Sequence, residues 1–401
     1  MARRIKAREV QGLKYFDKLA PLLERLHEVG TERDRAHNRT LHFDQYCLLV
    51  LLYLFSPLVT SLRALQQASE LAVVQKKLGV LRTSLGSLSE ATDVFDPERL
   101  REIVRELGAE LQPLGRDPRL KDVQPILTAV DGTLIKTLSR IVAATCSKSR
   151  STGKPQAAWR LHTQFEVDRY VPVRIDVTGG SGKGEQGERA VLGKHLEPDR
   201  CYILDRGYAK FALFNQIHAS GSSYVCRIRD NSSYTILEER PLTDEDRAAG
   251  VVLDARVQMG QDRPREERPQ HPLRLVIVTT TPHKGHGEER GHDSDGFLRI
   301  LTNLDDVPAH VLAVIYSYRW TIEVFFRFFK HILGCRHLLS TDPRGIEIQA
   351  YCAIIACLLI TLWTGRKPTK RTYEMICFYL IGWASEEELL RHIQKLKALK
   401  P

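Results

Sequence analysis

Three acids in this sequence have neighbours that would suit a reacting centre. Asp131 follows the apolar run Ile126-Leu127-Thr128-Ala129-Val130 and precedes Gly132-Thr133, while Asp205 closes Cys201-Tyr202-Ile203-Leu204 and opens Arg206-Gly207-Tyr208. Each is expected at or near a strand end. Carboxylates on neighbouring strands of one sheet can converge on a divalent cation, because Mg²⁺ takes hard oxygen ligands and keeps waters for a phosphate. An Asp in this position also serves ordinary turn chemistry. The third acid, Glu323, belongs to the set Tyr316, Arg319, Glu323 and Lys330, which share one stripe of a helix at 3.6 residues per turn. Ile322, Phe325, Phe326, Phe329 and Leu333 make the apolar stripe beside it, so the polar one falls at the edge of the buried surface, where a cleft would lie. The same spacing would equally give a solvated face with Glu323 paired to Arg319 and Arg327.

Cations gather near the first acid. Lys136, Arg140, Lys148, Arg150, Lys154 and Arg160 occur with no Asp or Glu among them, a pattern that suits a phosphate backbone and equally a mobile basic loop. His283, His286, His292, Asp293 and Asp295 could suggest zinc, but no second pair of soft ligands stands at finger spacing, so a solvated loop is expected. The sequence holds no Gly-x-x-x-x-Gly-Lys phosphate loop, no dinucleotide fingerprint and no Gly-x-Ser-x-Gly elbow.

The elements that must position these residues follow from periodicity. Residues 1–120 read as successive helices: Leu19, Leu22, Leu23 and Leu26 keep one face, and Asp96-Pro97 starts a helix carrying Leu100, Ile103, Val104, Leu107 and Leu111. Segments 61–79 and 84–91 suggest short helices joined by glycine turns, as in a helix-turn-helix or any small bundle. Strand patterns begin at 125 and include a hairpin turning at Asp168-Arg169. Segment 230–296 reads as a β-rich insertion, segment 308–333 as one long helix, and everything after 341 as helical, with Ser385 and Glu388 forming a capping box for the last helix. Mixed strands and helices predict an α/β sheet core over 121–340, flanked by helical regions at 1–120 and 341–401.

Composition narrows the class. With 43% hydrophobic and 27% charged residues in 401, the chain has the makings of folded domains rather than disorder. Its 59 Lys and Arg against 49 Asp and Glu give a net charge of +10, favouring polyanionic partners. The start of the chain shows no secretory pattern, and the eight cysteines make no Cys-x-x-Cys pair, so reduced, buried thiols and a cytoplasmic setting are expected. The apolar runs 47–59 and 351–363 fall short of the about 20 residues that span a bilayer and read as core helices.

Taken together, Val130-Asp131-Gly132-Thr133, Leu204-Asp205-Arg206-Gly207-Tyr208 and Tyr316-x-x-Arg319-x-x-x-Glu323-x-x-x-x-x-x-Lys330 resemble the three catalytic blocks of DDE transposases of bacterial insertion sequences, in the group marked by a Tyr-Arg-Glu-Lys signature. Leu301-Thr302-Asn303-Leu304 and Gly345-Ile346-Glu347 share the resemblance, which covers about 120–365 well and the N-terminal helices loosely. It implies a ribonuclease-H-like core interrupted by a β-strand insertion. Asp131, Asp205 and Glu323 would be both catalytic and metal-binding, holding two Mg²⁺ ions for which Mn²⁺ substitutes. Tyr316, Arg319, Lys330, Arg206 and Lys136 would contact DNA. The implied partners are double-stranded DNA, as element ends and target, and a second copy of the chain in a homodimer on DNA. The setting would be the cytoplasm, at the nucleoid. Trp320 adjoins the apolar stripe and is expected in the core. Glu185 and Glu188 stand where relatives often start a helix with acids, and helix capping is their expected role. A DNA-binding relic without catalysis and a stand-alone nuclease of the same fold are the alternatives.

Overall fold

The computed structural model describes residues 19–29, 34, 39–111, 117–136, 146–148, 155–179, 184–280, 295–334, 338–340, 342–365 and 367–395. Arg140, Arg150, Lys154, His283, His286, His292 and Asp293 lie outside them, as do the side chains of Lys136 and Lys148.

Among the described residues the sheet has ten strands: β1 (Ile126–Lys136), β2 (Cys146–Lys148), β3 (Pro155–Glu166), β4 (Val171–Gly179), β5 (Arg200–Leu204), β6 (Ser223–Arg227), β7 (Thr235–Glu239), β8 (Val251–Gln258), β9 (Leu273–Thr279) and β10 (Phe297–Thr302). β4, β3 and β1 are antiparallel neighbours, and β1, β5 and β6 run parallel. The order β4-β3-β1-β5-β6 is that of a ribonuclease-H-like core. The described strands of the insertion belong to this same sheet. β10 pairs with β6 on one side and β9 on the other, so β9, β8 and β7 prolong the core sheet.

The period of two along each strand divides the sheet between two cores. Leu127, Ala129, Phe165, Ile175, Ile203 and Val225 pack on one face with α2 (Phe43–Phe55), α6 (Glu98–Glu110), α10 (Ala309–Ser317), α11 (Arg319–Gly334) and α12 (Pro343–Thr364). Val130, Tyr202, Leu204, Tyr224 and Leu301 face the other way, with Leu192 of α7 (Glu188–Lys194) and Leu213, Phe214 and Ile217 of α8 (Phe211–Ala219). The N-terminal helices α1 (Leu19–Glu24), α3 (Leu62–Ser69), α4 (Ala72–Leu78) and α5 (Leu85–Val94) join the first core instead of folding apart from it. α12 is long and apolar enough to cross a membrane, yet 89% of its most apolar window is buried, and it packs against α2, α5, α6, α11 and β4.

Two expectations change in detail. The helix expected over 308–333 is two, α10 and α11. Ser317 Oγ donates to the Val314 carbonyl that would have received Tyr318 N–H, and the backbone tightens to i→i−3 bonds at Tyr318 and Thr321. Trp320 is 56% exposed, with Arg327 over its ring, because its position on α11 falls outside the buried stripe. After α13 (Lys370–Leu380), the Ser385/Glu388 capping box at the start of α14 (Glu386–Lys395) is present in both directions.

Candidate active site

Register explains why two of the acids meet. β1 and β5 are parallel with Ala129 opposite Ile203, so two residues further along Asp131 comes level with Asp205. The β1–β5 ladder ends at Ala129–Ile203, but β1 continues to Lys136 because β3 pairs with it along its length. Asp131 therefore lies within a strand, not at its end, while Asp205 leads the turn after β5, as expected. That turn is held by Gly207 N–H donating to Asp205 Oδ1 at 2.8 Å, and a Cβ at 207 would come within 2.9 Å of the same oxygen.

The electrostatics match this placement. Burial pushes the Asp131 carboxyl up to about 6; the Gly132 N–H that donates to its Oδ1 at 2.8 Å opposes the shift, the negative charge of Asp205 adds to it, and Arg319 opposes it. On α11, Arg319 Nη2 stands 2.7 Å from Glu323 Oε1, so its guanidinium acts on both Asp131 and Glu323. Tyr316, at the end of α10, is half-buried beside Arg319 and Arg227, and burial raises its hydroxyl's pKa. Arg206 and Lys330 are exposed, and Lys136 closes β1 opposite Ala158. Asp205 and Arg319 thus both bear on Asp131, and Glu323 is engaged by the same arginine.

A second acidic group was not visible from sequence spacing. Glu98, Asp176 and Glu347, from α6, β4 and α12, have ligand atoms within 4.8 Å of one another. Arg174 already forks onto Asp176 at 2.7–3.0 Å and reaches Glu98 at 3.5 Å. Burial, then Asp176 and Glu98, push Glu347 up to about 8, against the pull of Arg174. An acid that holds its proton more tightly when folded makes stability fall as pH rises from about 4.5 to 8 and level off above. Glu347→Gln is expected to flatten that slope and add on the order of 2 kcal/mol at pH 8. Unfolding of both proteins at pH 5 and 8 checks this, and equal slopes would show that Arg174 compensates the charge fully.

A sheet in ribonuclease-H order, with Asp131 and Asp205 just past the end of its β1–β5 parallel ladder, defines the class of fold. Residues 123–359 match the transposase DDE domain family, and the chain belongs to it. A Sinorhizobium fredii protein named as a transposase, y4zB, is 25% identical over 218 residues, 54% of this chain and 56% of that one. A Geobacillus stearothermophilus protein, named as the transposase for insertion sequence element IS5377, is 25% identical over 225 residues, 56% of this chain and 54% of its own. The match thus spans about half the length of these two relatives. A Synechocystis protein named for element IS4SA is 22% identical over 79% of this chain and 82% of its own. A cryo-EM structure of the piggyBac transposase synaptic complex with hairpin DNA aligns over 95% of this chain and 83% of that one, with TM-score 0.39 and 11% identity.

Proposed function

We propose that this chain is a metal-dependent DNA transposase of the Tyr-Arg-Glu-Lys group. In this reading it binds the terminal inverted repeats of its element, cleaves at the ends and joins the 3′ ends to target DNA, acting in the cytoplasm at the nucleoid. The observation that supports the reading is the parallel β1–β5 register, which ends at Ala129 and Ile203 two residues before Asp131 and Asp205, together with the Arg319 guanidinium, which pairs with Glu323 and whose charge bears on Asp131.

The donor set suits hard divalent cations: three carboxylates, one of which is held partly protonated near neutrality by burial and a like charge, a state that a cation would relieve. Asp131, Asp205 and Glu323 would hold two Mg²⁺, or Mn²⁺ in their place. When bound, the ions would activate the attacking water or 3′-hydroxyl and stabilise the leaving oxygen. Arg319 keeps Glu323 oriented and can grip a phosphate with its fork. Tyr316 offers a ring and hydroxyl beside it, and Lys330, about 10 Å along α11 from Glu323, offers a point charge.

A basic cleft supports DNA as the substrate. Arg189, Arg206, Lys210, Arg229 and Arg263 line a cavity of about 380 Å³ that starts at the turn after Asp205, with Asp262 the one acid in its lining. The larger cavity, about 990 Å³, lies over the insertion around Met259 and His271 and includes none of the three acids. The double change Arg206→Glu/Arg229→Glu is expected to weaken DNA binding for all sequences and to lower the salt slope by about one for each phosphate no longer engaged. Fluorescence anisotropy at several salt concentrations measures it, and an unchanged slope would put the DNA elsewhere. The helices before β1 would read the repeat, and a homodimer would bring two ends together.

The test of function is Mg²⁺-dependent cleavage and joining of labelled DNA carrying the ends of the host element. Cutting and joining are expected. Binding with no cutting in either Mg²⁺ or Mn²⁺ would favour the DNA-binding relic, a reading opposed by the presence of all three acids.

A further inference from the structure

Glu188 opens α7 without capping it: Gly187 is the N-cap, and no side-chain cap bond is made. The expected capping role is therefore absent. The carboxylate reaches back to the sheet, accepts a hydrogen bond from Arg160 Nη1, and lies so close over Gly132 that a Cβ there would overlap its Oε1. Gly132 is ordinary extended strand, so the backbone does not demand glycine; what the missing side chain provides is room for this carboxylate.

The two cores show what that means for Asp131. Residue 129 packs with the core that holds α11 and residue 130 with the core that holds α7, and the Asp131 carboxyl feels charge from both sides, that of Arg319 on α11 and that of Glu188 on α7. The Tyr208 hydroxyl gives an independent sign of a shared point. It is fully buried, has no hydrogen-bond partner among the described residues, and lines the same small cavity as Glu188. Beyond burial itself, the charges of Glu188, Asp131 and Asp205 all bear on it. A donor left unpaired among acceptor-only carboxylates is costly, about 1–3 kcal/mol, and is suited by a site that gains ligands and water with a cation.

We propose that Glu188 is a fourth carboxylate of the metal centre, held by Arg160 until a divalent cation enters; this rests on the transposase reading above. Four carboxylates balance the charge of two divalent ions, where three leave one positive charge over. Arg160, once released, would be free to pair with the phosphate.

Mn²⁺ binding to the full-length protein at constant pH, followed by the EPR signal of the free ion, tests this. Glu188→Gln is expected to weaken binding about 10-fold. Arg160→Gln should leave binding as tight or make it tighter, since it removes a competitor, and thermal unfolding without metal verifies that both variants fold. Equal loss in the two variants would overturn the proposal in favour of a structural ion pair. Unchanged binding in Glu188→Gln, with binding lost in Asp131→Asn, would overturn it and leave the transposase reading standing. An intact protein that neither binds Mn²⁺ nor cuts DNA would remove both.

Discussion

Glu323→Ala is expected to bind element-end DNA with little change and to lose Mg²⁺-dependent cleavage by roughly 10³-fold or more, equivalent to about 4 kcal/mol of barrier. The side chain is part-exposed and, among the described residues, pairs with Arg319 on its own helix, so its removal leaves the core intact. DNA affinity would hold or rise slightly, because an acid is lost and Arg319 is freed. Asp131→Asn and Asp205→Asn should fall by a similar factor. The double change Asp131→Asn/Glu323→Ala should be little worse than either alone, because the acids act as a unit and not as additive parts. Rates of strand cleavage under single turnover, beside equilibrium binding, separate the two effects. A Glu323→Ala protein that cuts within about tenfold of the intact chain would place the chemistry on other residues.

The second large effect is expected far from the acids. Arg274 on β9 is buried and forks onto the buried Asp254 of β8 with two bonds of 2.7 Å. Its remaining Nη1 donates to the carbonyls of Leu304, Asp305 and Val307, in the loop that leads from β10 to α10. Asp305 is tied a second time by Arg240 and Arg256. Arg274→Met would leave a buried carboxylate and the carbonyls of Leu304 and Val307 without their donor, Asp305's carbonyl keeping that of Arg240, at a cost of about 3–5 kcal/mol. Replacing both partners, as Arg274→Met/Asp254→Leu, should recover much of it, since two apolar side chains do not leave an uncompensated charge. Denaturant midpoints measure both proteins. Cleavage by the single variant should also suffer, because the loop it anchors sets the entry of α10 and, through α10, the position of Arg319. A loss under about 1 kcal/mol would mean that water replaces the arginine at those carbonyls.

Residue types and chain order made Asp131, Asp205 and Glu323 legible in the sequence, and the alternation of apolar residues marked out the hairpin, β5 and the surrounding helices. The strand register was not legible. Only the pairing of Ala129 with Ile203 brings two acids distant in sequence level with each other, and pairing is a tertiary fact. The insertion's strands were recognisable, but their continuity with the core depends on β10 lying between β6 and β9, which no local pattern announces. The break at Tyr318 escaped because Ser317 reads as an ordinary polar residue until its hydroxyl is seen on the Val314 carbonyl. Glu188 was noticed for its place at a helix start. What it touches depends on the absence of a side chain at Gly132, on another element altogether. The group Glu98, Asp176 and Glu347 is drawn from three elements and left no trace in the spacing.

The burial of α12 against α2, α6 and β4 bears on how the chain is made. The N-terminal helices and one face of the sheet both wait for a segment synthesised after them, so a ribosome that has delivered residues 1–340 has supplied the second core but left the first unfinished. An element copy cut short by a stop codon before α12 would then yield neither a smaller enzyme nor a stable competitor for the DNA ends. It would yield a chain with its apolar faces uncovered, and such chains are cleared or aggregate.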